Sequence, residues 1–189
     1  MPKSISKIKM SLLSNLHKLD FILDCAHNMS GKNNYHFLLI GSGAERDNLL
    51  QKKDSEGIDN VTMLDSVPKS EVSSYISILD LSLINLRKSE LFKTVIPSKI
   101  FENAGMEIPI IMGVQGEAQE IIEKYGAGLC FEPENEEDFV LKLDQLLNDD
   151  SLYSRCKEGG RKLSEDFDRK VLAAKMLESI ERSVSTVGS

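Results

Sequence analysis

Long apolar runs are missing from this sequence: none approaches the roughly 20 residues needed to cross a bilayer. The start, MPKSISKIKMSLL, is basic but lacks the sustained apolar centre of a secretory signal. Cysteine is scarce. Cys25, Cys130 and Cys156 are odd in number and far apart, which excludes a disulfide framework and a cysteine metal cage and points to a reducing compartment. Basic charge is also short, with 23 Lys and Arg against 30 Asp and Glu and a net charge of −7. A general nucleic-acid surface needs the opposite balance, although a local basic spot for one small phosphorylated ligand remains open. There are no internal repeats, no low-complexity segments and no Ser/His/Asp or Cys/His arrangement. The acidic run Glu132 to Asp138 lacks the ordered spacing of a calcium loop and reads as a solvated helix start, so no metal site is expected. The expectation is a cytoplasmic chain with no transmembrane segment.

What is present is an ordinary globular composition, 41% hydrophobic and 28% charged over 189 residues, enough for one domain with a proper core. Ile5, Ile8, Met10, Leu12 and Leu13 suggest a first strand running into a loop at Ser14 to His17. Leu19, Ile22, Leu23, Ala26 and Met29 then fall at helix spacing, ended by Ser30-Gly31. The apolar run Tyr35 to Ile40 reads as a strand, Gly41-Ser42-Gly43 as a turn, and AERDNLLQKK as a helix. Val61 to Leu64 is a further strand, followed by the loop Val67-Pro68-Lys69 and a helix with Ser70 as its expected cap. Asp80 to Asn85 and Pro109 to Met112 read as strands, 117 to 125 as a helix ended by Gly126-Ala127-Gly128, and Gly128 to Phe131 as the last strand. Beyond Pro133 come an acid-started amphipathic helix, with Phe139, Leu141, Leu143, Leu146 and Leu147 on its apolar side, and helices near 151–165 and 168–183, before a frayed tail SVSTVGS. Alternating strands and helices imply parallel strands with right-handed crossovers. The expected fold is an α/β, Rossmann-like doubly wound sheet of about six strands in a single domain over 1–189, with a core at about 5–150 and extra C-terminal helices at about 151–183.

The chain is organised around Lys93 to Gly116, KTVIPSKIFENAGMEIPIIMGVQG. Pro97 suits a first helical position, so a helix is predicted to start there. Lys99 and Glu102, three apart, and Ser98 and Glu102, four apart, then project from one side of its first turns. Unpaired N–H groups at such a start, with an adjacent ammonium, make an anion site beside the ends of the strands. Read plainly, Glu102 is an exposed glutamate stabilising a helix dipole and Lys99 a snorkelling surface lysine. Gly113, Gly116 and Glu117 read equally as a strand-to-helix turn or as contacts to a ligand. The lone G-S-G at Gly41, Ser42 and Gly43 lacks the third glycine and the later acidic residue of a dinucleotide fingerprint, so a nicotinamide enzyme is disfavoured.

The stretches FLLIGSGAERDNLLQ, NVTMLDSVPKSEVSSYISILDLSLINL, PSKIFENAGMEIPII and GVQGEAQEIIEKYGAGLCFEPENEEDF, with DFDRKVLAAKMLESIE at the end, occur in one order and spacing. Together they resemble the C-terminal, donor-binding half of a retaining GT-B glycosyltransferase of family 4, also called group 1, over roughly residues 10 to 182. The P-S-K-x-F-E form is most similar to the subgroup acting in bacterial surface-polysaccharide assembly. The resemblance implies a sugar nucleotide as donor, usually a UDP-sugar, with no further cofactor. It implies that Glu102 is the second glutamate of the E-x7-E motif, accepting hydrogen bonds from the ribose hydroxyls, while amides around Ile96, Pro97 and Ser98 face the diphosphate with Lys99 nearby. Thr94, Lys99 and Glu102 are the candidates for the reaction itself. Gly41, Ser42, Gly43, Val67, Pro68 and His17 are further donor-binding candidates.

Departures from the family pattern matter as well. Thr94 stands where the first glutamate of the motif is expected, keeping a hydroxyl and losing the charge. The early loop that carries phosphate-gripping Arg and Lys in many members reads SLLSNLHKLD here, with His17 or Lys18 as the nearest candidates, and a glycine usual before it is Ser11. The N-terminal acceptor domain is absent from these residues. The expected partners are therefore a nucleotide-sugar and an acceptor-binding domain or separate subunit, and any membrane association would be peripheral and through that missing half. The alternative expectation is a non-catalytic partner or remnant that binds a companion protein supplying the acceptor domain.

Overall fold

The computed structural model describes residues 8–12, 19–31 and 35–187. Among these residues six parallel strands form one sheet: β1 Ile8–Leu12, β2 Tyr35–Ile40, β3 Val61–Leu64, β4 Leu81–Asn85, β5 Ile110–Gly113 and β6 Gly128–Cys130. Their order across the sheet is β3-β2-β1-β4-β5-β6. Among the described residues eight α-helices accompany them: α1 Leu19–Asn28, α2 Arg46–Ser55, α3 Lys69–Ile76, α4 Lys99–Gly105, α5 Glu117–Tyr125, α6 Glu136–Asn148, α7 Asp150–Asp166 and α8 Arg169–Val187. This is the doubly wound parallel sheet read from the sequence.

Strands buried on both faces read as continuous apolar runs, and their alternate residues separate the two layers. Phe37, Leu39, Leu81, Leu83 and Ile111 face one side, packing with Ile22, Cys25 and Ala26 of α1 and Phe139, Leu143 and Leu146 of α6. Ile84, Ile110 and Met112 face the other, where Ile100 and Ala104 of α4 and Ala118 and Ile122 of α5 cover them. Leu38 and Ile40 meet Ile76 of α3. Each fully buried Leu, Ile or Phe stabilises the fold by roughly 1.5–3 kcal/mol relative to leaving it in water. Burial also pushes the thiols of all three cysteines well above the ordinary range, which leaves them unreactive.

Several boundaries differ from those read in the sequence. The expected loop from Ser14 to His17 lies outside the described residues, as does Ile5. Ser70 does not cap α3: Pro68 occupies the N-cap, whose end has no side-chain cap. Asp80 and Pro109 precede their strands and Phe131 follows β6, while Gly113 belongs to β5. Leu141 points to solvent, 53% exposed, because it lies off the stripe formed by Phe139, Leu143 and Leu146. The C-terminal stretch read as frayed is helical as far as Val187. The charged segment after β4 contains an unforeseen 3₁₀ turn, Glu90–Thr94, capped by Ser89, whose Oγ accepts from the Leu91 amide at 3.3 Å.

Candidate functional site

Because all six strands run the same way, their carboxyl ends share one edge, and the candidate residues lie on the loops that leave it. The chain moves outward from β1 through β2 and β3, then returns to the far side of β1 to build β4, β5 and β6. The strand order therefore reverses between β1 and β4, the kind of switch point at which open α/β sheets bind ligands. His17 and Lys18, in the loop after β1, lie outside the described residues. The loop after β4 carries the remaining sequence-read centre.

That loop is fixed by close packing. The Leu86 amide donates to the Gly113 carbonyl at 3.2 Å, extending the β4–β5 ladder beyond Asn85. Asn85 is fully buried, and a Cβ on Gly113 would lie 2.5 Å from its Oδ1 and 2.4 Å from Cζ of Phe131. Gly116 has φ 83°, ψ −144°, and a Cβ there would come within 2.1 Å of the Lys93 carbonyl oxygen. Only glycine lets the β5–α5 turn rest on the 3₁₀ turn. Glu117, next in the chain, opens α5 and is exposed.

The helix that follows starts later than predicted. Pro97 is not its first residue; its carbonyl accepts from the Ile100 amide at 3.1 Å, a three-residue bond, and the α-helix begins at Lys99 with Ser98 at the N-cap. The Ser98 carbonyl accepts from both Phe101, at 3.1 Å, and Glu102, at 3.4 Å. A tightened entry turn of this kind is common at helix starts. Lys99 and Glu102 still share a side.

Their environments are unequal. Glu102 is exposed. The Nζ of Lys99 is buried and has no hydrogen-bond partner among the described residues. Burial pushes its pKa down to about 8, partly opposed by the Glu102 carboxylate. Asn103, missed in the sequence reading, is buried and donates from Nδ2 to the Lys99 carbonyl at 2.7 Å, tying down the residue one turn earlier. Nothing in its spacing distinguished it from an ordinary helical asparagine. Thr94 is exposed, and its Oγ1 donates to the Leu91 carbonyl at 3.4 Å. Ile96 is exposed and Pro97 half-buried.

The other candidates gather on the far side of β1. The Gly41 amide donates to the Leu64 carbonyl at 3.1 Å, the Ser66 hydroxyl to Ser42 Oγ at 2.8 Å, and Arg46 pairs with Asp65 at 2.9 Å. Gly43 is exposed, Val67 half-buried and Pro68 exposed in the same group of loops. This group leaves the ends of β2 and β3, two and three strand spacings from β4, or about 10–15 Å. The structure therefore forms two clusters at one edge, not a single knot of residues.

On the β6 side, Lys88 pairs with Glu132 at 2.8 Å and its amide donates to Glu134 Oε1 at 3.2 Å. An open recess of about 680 Å³ there is lined by Lys88, Pro133, Asn135 and Glu132, Glu134, Glu136 and Glu137. Four carboxylates against one ammonium make it unfavourable for a phosphorylated ligand. Among the described residues no three His, Cys, Asp or Glu side chains converge as a metal site, and no helix is long and apolar enough to cross a membrane.

Residues 10–163 match the family model described as glycosyl transferases group 1. Among solved structures, HepE from Anabaena in complex with UDP superposes with a TM-score of 0.78 at 16% identity, over 93% of this chain and 49% of that one. WaaG, a glycosyltransferase involved in lipopolysaccharide biosynthesis, gives a TM-score of 0.70 at 16% identity over 88% and 44%. The C-terminal domain of LpcC, a glycosyl transferase group 1 family protein from Francisella tularensis, gives 0.66 at 20% identity over 86% of each chain. The chain thus spans about half the length of HepE and WaaG. A search of curated proteins returns no match.

Proposed function

The chain belongs to the group 1 glycosyl transferases, and from that membership we propose that it holds the donor, a nucleotide-sugar of the UDP type, at the switch point between β1 and β4. The observation that carries this reading is the buried, unpartnered Lys99 amine one turn before an exposed carboxylate, at the carboxyl end of β4. A buried amine without a hydrogen-bond partner is unfavourable on its own, and a diphosphate would supply acceptors and further negative charge. Glu102 accepts hydrogen bonds from the two ribose hydroxyls, a task suited to a carboxylate. The N–H groups of Ile96, Ser98 and Lys99 face the phosphates, Pro97 between them having none. HepE, which shares the fold, was crystallised with UDP, and this supports the choice of nucleotide.

In transfer, the bond between the sugar and the diphosphate breaks and the leaving nucleotide gains charge. Donors already aimed at it stabilise that state more than the ground state, so the chain's part is positioning and leaving-group stabilisation. We assign the reaction as retaining and place it in surface-polysaccharide or glycan assembly, with the acceptor held by another domain or subunit. A second reading, a chain that binds a companion protein and does not itself catalyse, is favoured by Thr94 in place of a carboxylate and by the exposed apolar face of α8.

Titration with UDP tests the donor site. Saturable one-to-one binding is expected, weakened roughly 10- to 100-fold by Glu102→Ala through loss of a charge-assisted hydrogen bond, with Glu102→Gln in between. No binding, or binding indifferent to Glu102→Ala, would contradict it.

A further inference from the structure

We propose that Phe167 is a positioning residue for this site, acting through Phe101 on the turn that carries Lys99 and Glu102. The inference rests on the donor-site reading above. It starts from the size of α4, which at seven residues is too short to hold a conformation by its own hydrogen bonds. Its orientation comes from what it packs against. Ile100 and Ala104 fix its inner face on the sheet, and α7 braces it from outside.

The brace is close. A Cβ on Gly160 of α7 would sit 3.5 Å from Cα of Ala104, so the two helix backbones are nearly in contact. A Cβ on neighbouring Gly159 would lie 2.3 Å from the Tyr125 carbonyl oxygen and 2.5 Å from that of Gly126, which pins α7 to the end of α5. At the end of α7, the Phe167 ring stacks on Phe101 with centroids 4.8 Å apart and planes at 30°. Tyr125 meets Phe167 edge-on at 6.1 Å, and its hydroxyl donates to Asp166 Oδ2 at 2.6 Å. The Phe167 ring is thereby held from one side and bears on Phe101 from the other.

Phe101 lies between Lys99 and Glu102 in sequence but off the side they share. The Gly160–Ala104 contact limits how far α4 can shift, while the Phe101 ring limits how far it can turn about its axis. A turn of α4 would swing the Lys99 amine and the Glu102 carboxylate away from the bound nucleotide together. Hydrogen bonds weaken steeply as distance and angle leave their optimum, so such a turn weakens both contacts to the nucleotide at once.

The test is UDP affinity of the full chain, measured well below every unfolding midpoint. Phe167→Ala is expected to weaken UDP roughly five- to tenfold, a partial loss of its charge-assisted hydrogen bonds, and Phe167→Tyr, which keeps the stacked ring, to restore affinity to within about twofold. Leu49→Ala, in the buried part of α2 on the far wing, serves as a destabilising control and is expected to leave UDP affinity unchanged. If Phe167→Ala does not fold, Phe167→Leu, which keeps bulk without a ring face, is expected to give the same direction of loss. Normal affinity in the alanine or leucine variant, or an equal loss in Leu49→Ala, overturns the positioning role alone. Failure of the unchanged chain to bind UDP overturns both this role and the donor site.

Discussion

Lys99 keeps an amine that is buried without a hydrogen-bond partner, its charge only partly relieved by the Glu102 carboxylate. Its folded pKa of about 8 lies below the free value of 10.5, so between those values the unfolded chain binds more protons and stability rises with pH. At pH 7 the residue therefore destabilises the fold. Lys99→Met is expected to raise the unfolding free energy there by roughly 1–2 kcal/mol, discounted from the full linkage value because the side chain is only partly buried. The gain should fade as pH passes from 8 to above 10. In the same variant UDP should bind more weakly. For the unchanged chain, calorimetry in buffers of different ionisation enthalpy should show proton uptake approaching one per UDP near pH 9, where the free amine is mostly neutral and the nucleotide's terminal phosphate is already ionised. Absence of uptake would place the phosphates elsewhere. Lys99 and Glu102 were legible in the sequence because a turn after Pro97 puts them on one side. Asn85 and Asn103 were not, since their significance lies in burial, which spacing alone does not reveal for a polar residue.

The elements were most legible where an apolar run is closed by glycine or charge. β2, β3 and α5 have the boundaries read from sequence for that reason. Between β4 and α4 the reading was coarser: a 3₁₀ turn and a tightened helix entry depend on i→i+3 bonds that leave little periodic trace. The short α4 ends at Gly105, followed by Glu107 at φ 53° ahead of Pro109. The stack of Phe101 on Phe167 joins residues far apart in the chain, so no local pattern announces it. α8 is the opposite case. From Arg169 to Ser183 every side chain is exposed, including Leu172, Met176, Leu177 and Ile180. A chain cut before Arg169 is therefore expected to melt within about 4 °C of the full one, since little buried area is lost. A much larger fall in the melting temperature would show that α8 holds the fold together.

At the scale of the whole molecule, alternating strand and helix patterns revealed a parallel, doubly wound sheet, because crossovers between parallel strands need helices and have a fixed hand. The strand order was not legible, since an apolar strand carries no mark of which neighbour it will join. That order places the switch point between β1 and β4 and sets the two candidate clusters on opposite sides of β1. The measurement that bears most directly on the donor site is a crystal structure of the chain with UDP. The diphosphate is expected within about 3 Å of Lys99 Nζ and the amide nitrogens of Ile96, Ser98 and Lys99, with both ribose hydroxyls on Glu102. UDP found in the acidic recess around Glu132 to Glu137, or bound with Glu102 left in solvent, would contradict it.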